Sequence, residues 1–214
     1  MRKVLKVKKI IMLGNSKKFF ELASNLFKDS VIVVIPWREC SSFDISRLKF
    51  YPDLIIICGY DYMSGWYSYN KYLEINVYKP LSLVKKIMNS KTIIFYADTK
   101  NDNLLFTFSR YRYAKRLLGI FLNKLGKQFK YIYFPVFSYN DKKVYIYGGI
   151  FSRFIFNFFI SLNAINFISL ASAKKEFLKA LCSKSNKYSL NLIPKFLRIR
   201  RSLFCDRALR LFFG

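Results

Sequence analysis

Apolar positions in the first two-thirds of the chain alternate between short unbroken runs and longer stretches at helical spacing. Residues 9–13 (KIIML) end at Gly14, and the stretch that follows places Phe19, Phe20, Ala23, Leu26 and Phe27 at helical spacing. A second run, residues 31–35 (VIVVI), closes at Pro36; a third, residues 54–58 (LIIIC), opens after Pro52-Asp53 and closes at Gly59. Runs that are apolar throughout, rather than alternating, predict strands covered on both faces, as in a parallel sheet. A helix is predicted over residues 69–88, kinked or divided by Pro80. Residues 92–96 (TIIFY) give a fourth strand. The helix over 110–125 gathers Ala114, Leu117, Leu118, Phe121, Leu122 and Leu125 on one side and leads to a fifth strand at 131–136. This alternation predicts an α/β protein built on a doubly wound, mostly parallel sheet with helices on both faces.

The architecture is therefore Rossmann-like, with a small C-terminal extension. Beyond residue 136 the pattern predicts a short strand at 143–147, a helix at 151–162, a strand at 165–170 and a helix at 173–181. From Pro194 onward the chain reads as a basic amphipathic helix or helix pair. No internal repeat or low-complexity linker interrupts the 214 residues, so the chain is read as one domain. Residues 1–136 form its nucleotide-binding portion, and residues 137–214 its substrate or capping portion. Residues 154–173 are long enough for a membrane span, but Asn157, Asn163 and Asn166 would be costly in hydrocarbon. That stretch is read as a helix and a strand inside the domain. The N-terminal residues MRKVLKVKKIIMLG read as a strand rather than a signal peptide, and a cytoplasmic location is expected.

Charge changes the picture of partners. The chain carries 38 Lys and Arg against 12 Asp and Glu, a formal net charge of +26. Such a field draws a protein towards polyanions. The cations are spread along the sequence, which predicts weak, salt-sensitive contact and no specific nucleic-acid site. An anionic membrane surface is a further expected contact, through Lys195, Arg198, Arg200, Arg201, Arg207 and Arg210, with Phe204, Leu209, Leu211, Phe212 and Phe213 on the apolar side of the tail. The absence of histidine excludes His-based triads and every His-containing zinc pattern. Cys40, Cys58, Cys182 and Cys205 show no C-x-x-C pairing, so reduced structural thiols and no metal site are expected.

Candidate chemistry lies at the strand ends. Gly14-Asn15-Ser16-Lys17 follows the first strand and opens a helix, where backbone N–H groups and the positive dipole end can receive a phosphate. Lys17 and Phe20 stand three and six residues after Gly14, where a dinucleotide fingerprint wants glycine. Lys17 offers a charge to phosphate, whereas Phe20 is expected to thicken the helix where it should lie close to a strand. Arg38, at the end of the second strand, suits a 2′-phosphate and leans towards NADP. Tyr111 and Lys115, four apart on one helix face, can point into one cleft, where the ammonium would favour a phenolate acting as a base.

The Tyr111-x-x-x-Lys115 pair on the helix before strand five resembles that of the short-chain dehydrogenase/reductases. So do Tyr72-Leu73-Glu74-Ile75-Asn76-Val77, with Asn76 at the family's Asn, Pro135 in strand five, and residues 167–173, which look like a junction of the sugar-nucleotide members. The sequence departs from that pattern in its glycine turn, in Gly59-Tyr60-Asp61 after strand three, and in its short C-terminal region. The resemblance implies NAD or NADP as cofactor, held by Gly14, Asn15, Ser16, Lys17, Arg38, Gly59 and Asn76. It further implies Tyr111 as acid/base, Lys115 as its electrostatic partner, and Thr99 or Asp98 as the anchor of the substrate oxygen. The implied function is an NAD(P)-dependent sugar-nucleotide epimerase, dehydratase or reductase of surface-polysaccharide assembly, with a nucleotide-sugar or other phosphorylated small molecule as ligand and a homodimer as assembly. The alternatives are a non-catalytic relative that binds a nucleotide-sugar or a partner enzyme, and a peripheral membrane-surface protein.

Overall fold

The computed structural model of the protein describes residues 7–61, 64, 67–99, 110–125, 128–134, 136–140, 143–144, 167–168 and 170–182. Five parallel strands form the main sheet: β1 (Lys9–Leu13), β2 (Val31–Ile35), β3 (Leu54–Ile57), β4 (Ile93–Thr99) and β5 (Phe129–Phe134). Their order is β2-β1-β3-β4-β5, and every neighbouring pair is parallel. The chain steps from β1 out to β2, then returns to place β3 on the other side of β1. The direction of winding thus reverses between β1 and β3, and the connections leaving these two strands diverge above the sheet.

Neighbouring residues of a strand point to opposite faces, so a run with no polar position must be covered twice. Ile11, Leu13, Ile55 and Ile57 lie in one core cluster with Tyr72, Val84 and Leu118, contributed by α2 (Tyr69–Leu73), α3 (Lys79–Ile87) and α4 (Arg110–Asn123). Ile10, Met12, Leu54 and Ile56 lie in the other, with Phe19 and Leu22 from α1 (Lys17–Leu26) and Phe177 from α5 (Leu170–Cys182). Full burial of each such side chain contributes roughly 1.5–3 kcal/mol, so the central strands anchor the domain. Strand β2 departs from the expected double cover: it is the sheet's edge, Val31 is 58% exposed, and Ile32, Val33 and Val34 are only partly buried.

Pro80 does not break its helix. Between α2 and α3 the backbone widens into one π-helical turn, Glu74–Tyr78, which joins the two into a continuous rod. Proline has no N–H to give the ordinary helical bond, and a wider turn accommodates that loss without a chain break. The β2–β3 connection, by contrast, uses only short 3₁₀ turns at Trp37–Ser41 and Ile45–Arg47. Asp44 caps the second, accepting from the Ser46 backbone N–H at 3.0 Å and from the Ser46 hydroxyl at 2.7 Å.

After the main sheet, β6 (Val136–Asn140) pairs antiparallel with β7 (Lys143–Val144) and parallel with β8 (Phe167–Ile168). The helix expected at 173–181 is α5. The helix expected at 151–162 and the basic tail from Pro194 lie outside the described residues. Among those described, no helix is long and apolar enough to cross a membrane.

Candidate functional site at the carboxyl edge of the sheet

The carboxyl ends of the strands carry nearly every polar residue singled out in the sequence, and they divide into two halves. The first half is built around two glycines. Gly14, with φ +111°, turns the chain out of β1, and its N–H donates to the Ile35 carbonyl at 2.9 Å. A Cβ at Gly14 would stand 2.3 Å from the Gly59 Cα, and a Cβ at Gly59 would stand 2.7 Å from the Gly14 Cα. The turns after β1 and β3 therefore touch backbone to backbone. The same Cβ at Gly59 would also stand 2.3 Å from Cε3 of Trp37. Trp37 itself is only 6% exposed.

Asn76, in the π turn, braces this stack. Its Oδ1 accepts from the Trp37 Nε1–H at 3.2 Å and from the Asp61 backbone N–H at 3.0 Å. Its amide nitrogen donates to the Ser64 hydroxyl at 2.7 Å and to the Tyr72 carbonyl at 3.2 Å. A buried side-chain amide with partners at both ends holds three segments together, since leaving any of these groups unpaired would be costly. Arg38 is exposed, but its guanidinium is turned to the buried carboxylate of Asp61, with Nη2 at 2.8 Å and Nε at 3.1 Å from Oδ1. That hydrogen bond and the attraction of the carboxylate raise the Arg38 pKa further.

Asn15 and Lys17 are exposed at the turn into α1, and Ser16 is half-buried. Ser16 makes no side-chain cap bond, and no acidic residue sits in the first helical turn, so the helix end keeps its positive character. Phe20 requires a correction. It was expected to thicken the helix against the sheet, but it points away and is 43% exposed, while Phe19, Leu22 and Ala23 make the buried face. The helical phase set by Leu22 and Ala23 rotates Phe20 outward.

The second half lies at β4 and β5. Asp98 is 5% exposed and accepts from the Tyr131 hydroxyl at 2.5 Å. Thr99 ends β4 opposite Phe134. Lys115 is 6% exposed; its Nζ donates to the Ala97 carbonyl at 3.3 Å and lies 5.1 Å from the Tyr96 ring centre and 5.9 Å from that of Tyr111. The helix is fixed to the strand at this point, because the Tyr96 hydroxyl donates to the Lys115 carbonyl at 2.9 Å. Tyr111 packs edge-on against Tyr60, ring centres 4.6 Å apart, and the Tyr60 and Tyr72 hydroxyls are hydrogen-bonded. Tyr111 and Lys115 thus share one face of α4 and meet the strand ends together.

Cys58 joins the two halves. Its thiol lies 3.6 Å from the Leu13 carbonyl and 3.8 Å from that of Gly14. Burial pushes it up to about 12, against the opposing pull of the Lys115 charge and a bond from the Ser16 backbone. Sequence reasoning set out Gly14, Gly59, Asn76, Tyr111 and Lys115, and the fold gathers them along one edge. It missed Trp37, Asp61 and Tyr60 as working parts. Their signal was present only as large or charged residues standing beside strand-end turns.

A dinucleotide laid along such an edge places its pyrophosphate at the first turn and its adenosine ribose at the end of the second strand. The residues present do not fit that occupant. The indole of Trp37 covers the ground between those two points, and Arg38 is engaged by Asp61. Among the described residues no cluster of acidic and thiol groups is arranged to hold a metal ion.

No protein-family model matches the chain, and no curated protein matches it in sequence. Among solved structures, the fold is similar to that of the capsular polysaccharide assembling protein CapF from Staphylococcus aureus. The TM-score is 0.50 at 16% identity, covering 85% of this chain and 51% of that one. The chain therefore spans about half the length of that protein. A GDP-L-fucose synthetase from Naegleria fowleri, solved with NADP bound, aligns over 82% of this chain and 68% of its own, with a TM-score of 0.48 and 13% identity. At these identities the likeness is one of fold: a parallel sheet with helices on both faces.

Proposed function

We propose that the chain binds a nucleotide-sugar, or another phosphorylated small molecule, at the β4–β5 half of the sheet edge, in the assembly of a surface polysaccharide. One observation carries the reading. Lys115 is a nearly buried ammonium at the carboxyl end of β4, met by a carbonyl and two tyrosine rings, with no carboxylate in ion-pairing distance among the described residues. Holding a charge out of water is costly unless a counter-charge arrives. At 4 Å a phosphate oxygen returns about 4 kcal/mol at an effective dielectric constant of ~20. Tyr111, on the same face of α4, adds a hydroxyl for the sugar. The polysaccharide setting draws on the likeness in fold to CapF, whose name ties that protein to capsule assembly.

A second reading, an NAD(P)-dependent epimerase or reductase, draws on the Tyr111–Lys115 pair itself and requires the Trp37 indole and the Arg38–Asp61 pair to give way to the cofactor. Calorimetric titration with UDP-glucose as the probe separates a working anion site from a structural lysine. Binding is expected in the native chain and should weaken at least tenfold in Lys115→Met, with far-UV dichroism unchanged. Equal binding by the two, or none by the native chain, would overturn the proposal.

A further inference from the structure

We infer that the indole of Trp37 takes the place of an adenine base, so that the crevice between β1 and β3 is filled by the chain itself. Indole and purine are both flat fused bicycles, and the geometry treats the indole as a bound base would be treated. Its six-membered ring lies against Gly59, where any side chain would collide with it. Its edge N–H is read by the Asn76 carbonyl oxygen at 3.2 Å. Asp61, beside it, is held by Asn76 through its backbone and by Arg38 through its carboxylate.

Three independent features make the ring a fixed part of the crevice. Trp37 opens the 3₁₀ turn Trp37–Ser41, so its backbone is set by the β2 end and not by a long loop. The same Asn76 oxygen that accepts its N–H also accepts the Asp61 backbone, so releasing the indole disturbs the turn after β3. The ring also packs where the Gly14 and Gly59 backbones meet, so it is in contact with the turns after both β1 and β3. An incoming dinucleotide would have to send an almost fully buried indole into water and break the Asn76 bond before its adenosine half could settle. A ligand held beside Lys115 would not have to displace Trp37, so the inference stands apart from the nucleotide-sugar reading.

The test compares native protein with Trp37→Gly by calorimetry, using NADP and AMP as probes, with melting temperature as a second readout. The native chain is expected to give no binding heat with either probe up to millimolar concentration. Trp37→Gly should melt lower, gain at least tenfold in AMP affinity over the native chain, and be raised in melting temperature by AMP and by free indole. If the glycine variant does not fold, Trp37→Leu, which keeps apolar bulk but loses the flat ring, is measured in the same way. Micromolar binding of NADP or AMP by the native chain overturns the inference, whatever the variants do. So does a folded variant indifferent to both AMP and indole. A failure of UDP-glucose to bind would remove the proposed function and leave the role of Trp37 standing.

Discussion

The two halves of the carboxyl edge solve opposite problems with similar materials. At β1 and β3 the chain satisfies itself: two glycines touch, an indole covers them, Asn76 uses both ends of its amide, and Arg38 is matched by Asp61. At β4 and β5 a buried ammonium has, among the described residues, a carbonyl and two aromatic faces, which stabilise a cation without neutralising it. The same fold can thus close one end of its ligand crevice with side chains and leave charge at the other. Likeness in fold speaks for the scaffold alone; the matched or unmatched groups at each strand end decide what it holds.

The closed half can be broken most severely at Gly14. In Gly14→Ala the positive φ and a backbone collision with Gly59 act together, and a loss of roughly 3–5 kcal/mol is expected, read from urea unfolding. Asn76→Ala should cost about 3 kcal/mol, because it leaves several buried groups without partners; Asn76→Gln should not restore it, since the longer amide cannot occupy the same place. Gly59→Ala sets a new methyl against the Trp37 ring and should cost about 2 kcal/mol, with a shift of the Trp37 emission as its second sign.

Alkaline pH sharpens the comparison differently. Burial holds Cys40 and Cys58 at about 12, above the ordinary 9.0. Once unfolded, these thiols ionise from pH 9.0 upward while the folded ones keep their protons. Stability should therefore be level below that pH and fall above it, by about 1.4 kcal/mol per pH unit for each thiol. Urea midpoints followed upward from pH 9.0 check this, and Cys58→Ala should remove its share of the slope. Arg38→Ala leaves the buried Asp61 carboxylate without its guanidinium, so it should lower the melting temperature more than the loss of an ordinary surface ion pair. Its change in melting temperature should shrink as sodium chloride is added, because salt screens surface charge.

The main sheet was legible in the sequence because residues 10–13, 31–35 and 54–57 are apolar without interruption, although the edge strand β2 shows the same pattern with only partial cover. Tyr111 and Lys115 were legible as a pair because four-residue spacing fixes a shared helix face. What escaped was long-range. Nothing local says that Trp37 will lie on Gly59, or that Arg38 will meet Asp61, because those contacts join the ends of different strands. Phe20 was misjudged because adjacent Phe19 and Phe20 satisfy an apolar count equally, and only the phase of the packed helix chooses between them. The π turn at Glu74–Tyr78 was hidden too, since Pro80 announces a lost hydrogen bond but not how the helix absorbs it.

The most direct test follows the indole N–H resonance of Trp37 by NMR, assigned with a Trp66→Phe variant, while NADP and UDP-glucose are added separately. With NADP the signal should stay in place and slow to exchange. With UDP-glucose it should again stay, while the backbone amides of Ala97, Asp98 and Thr99 move. A Trp37 signal that shifts or vanishes with saturating NADP would contradict the account, because it would mean that the indole leaves the crevice to admit a dinucleotide.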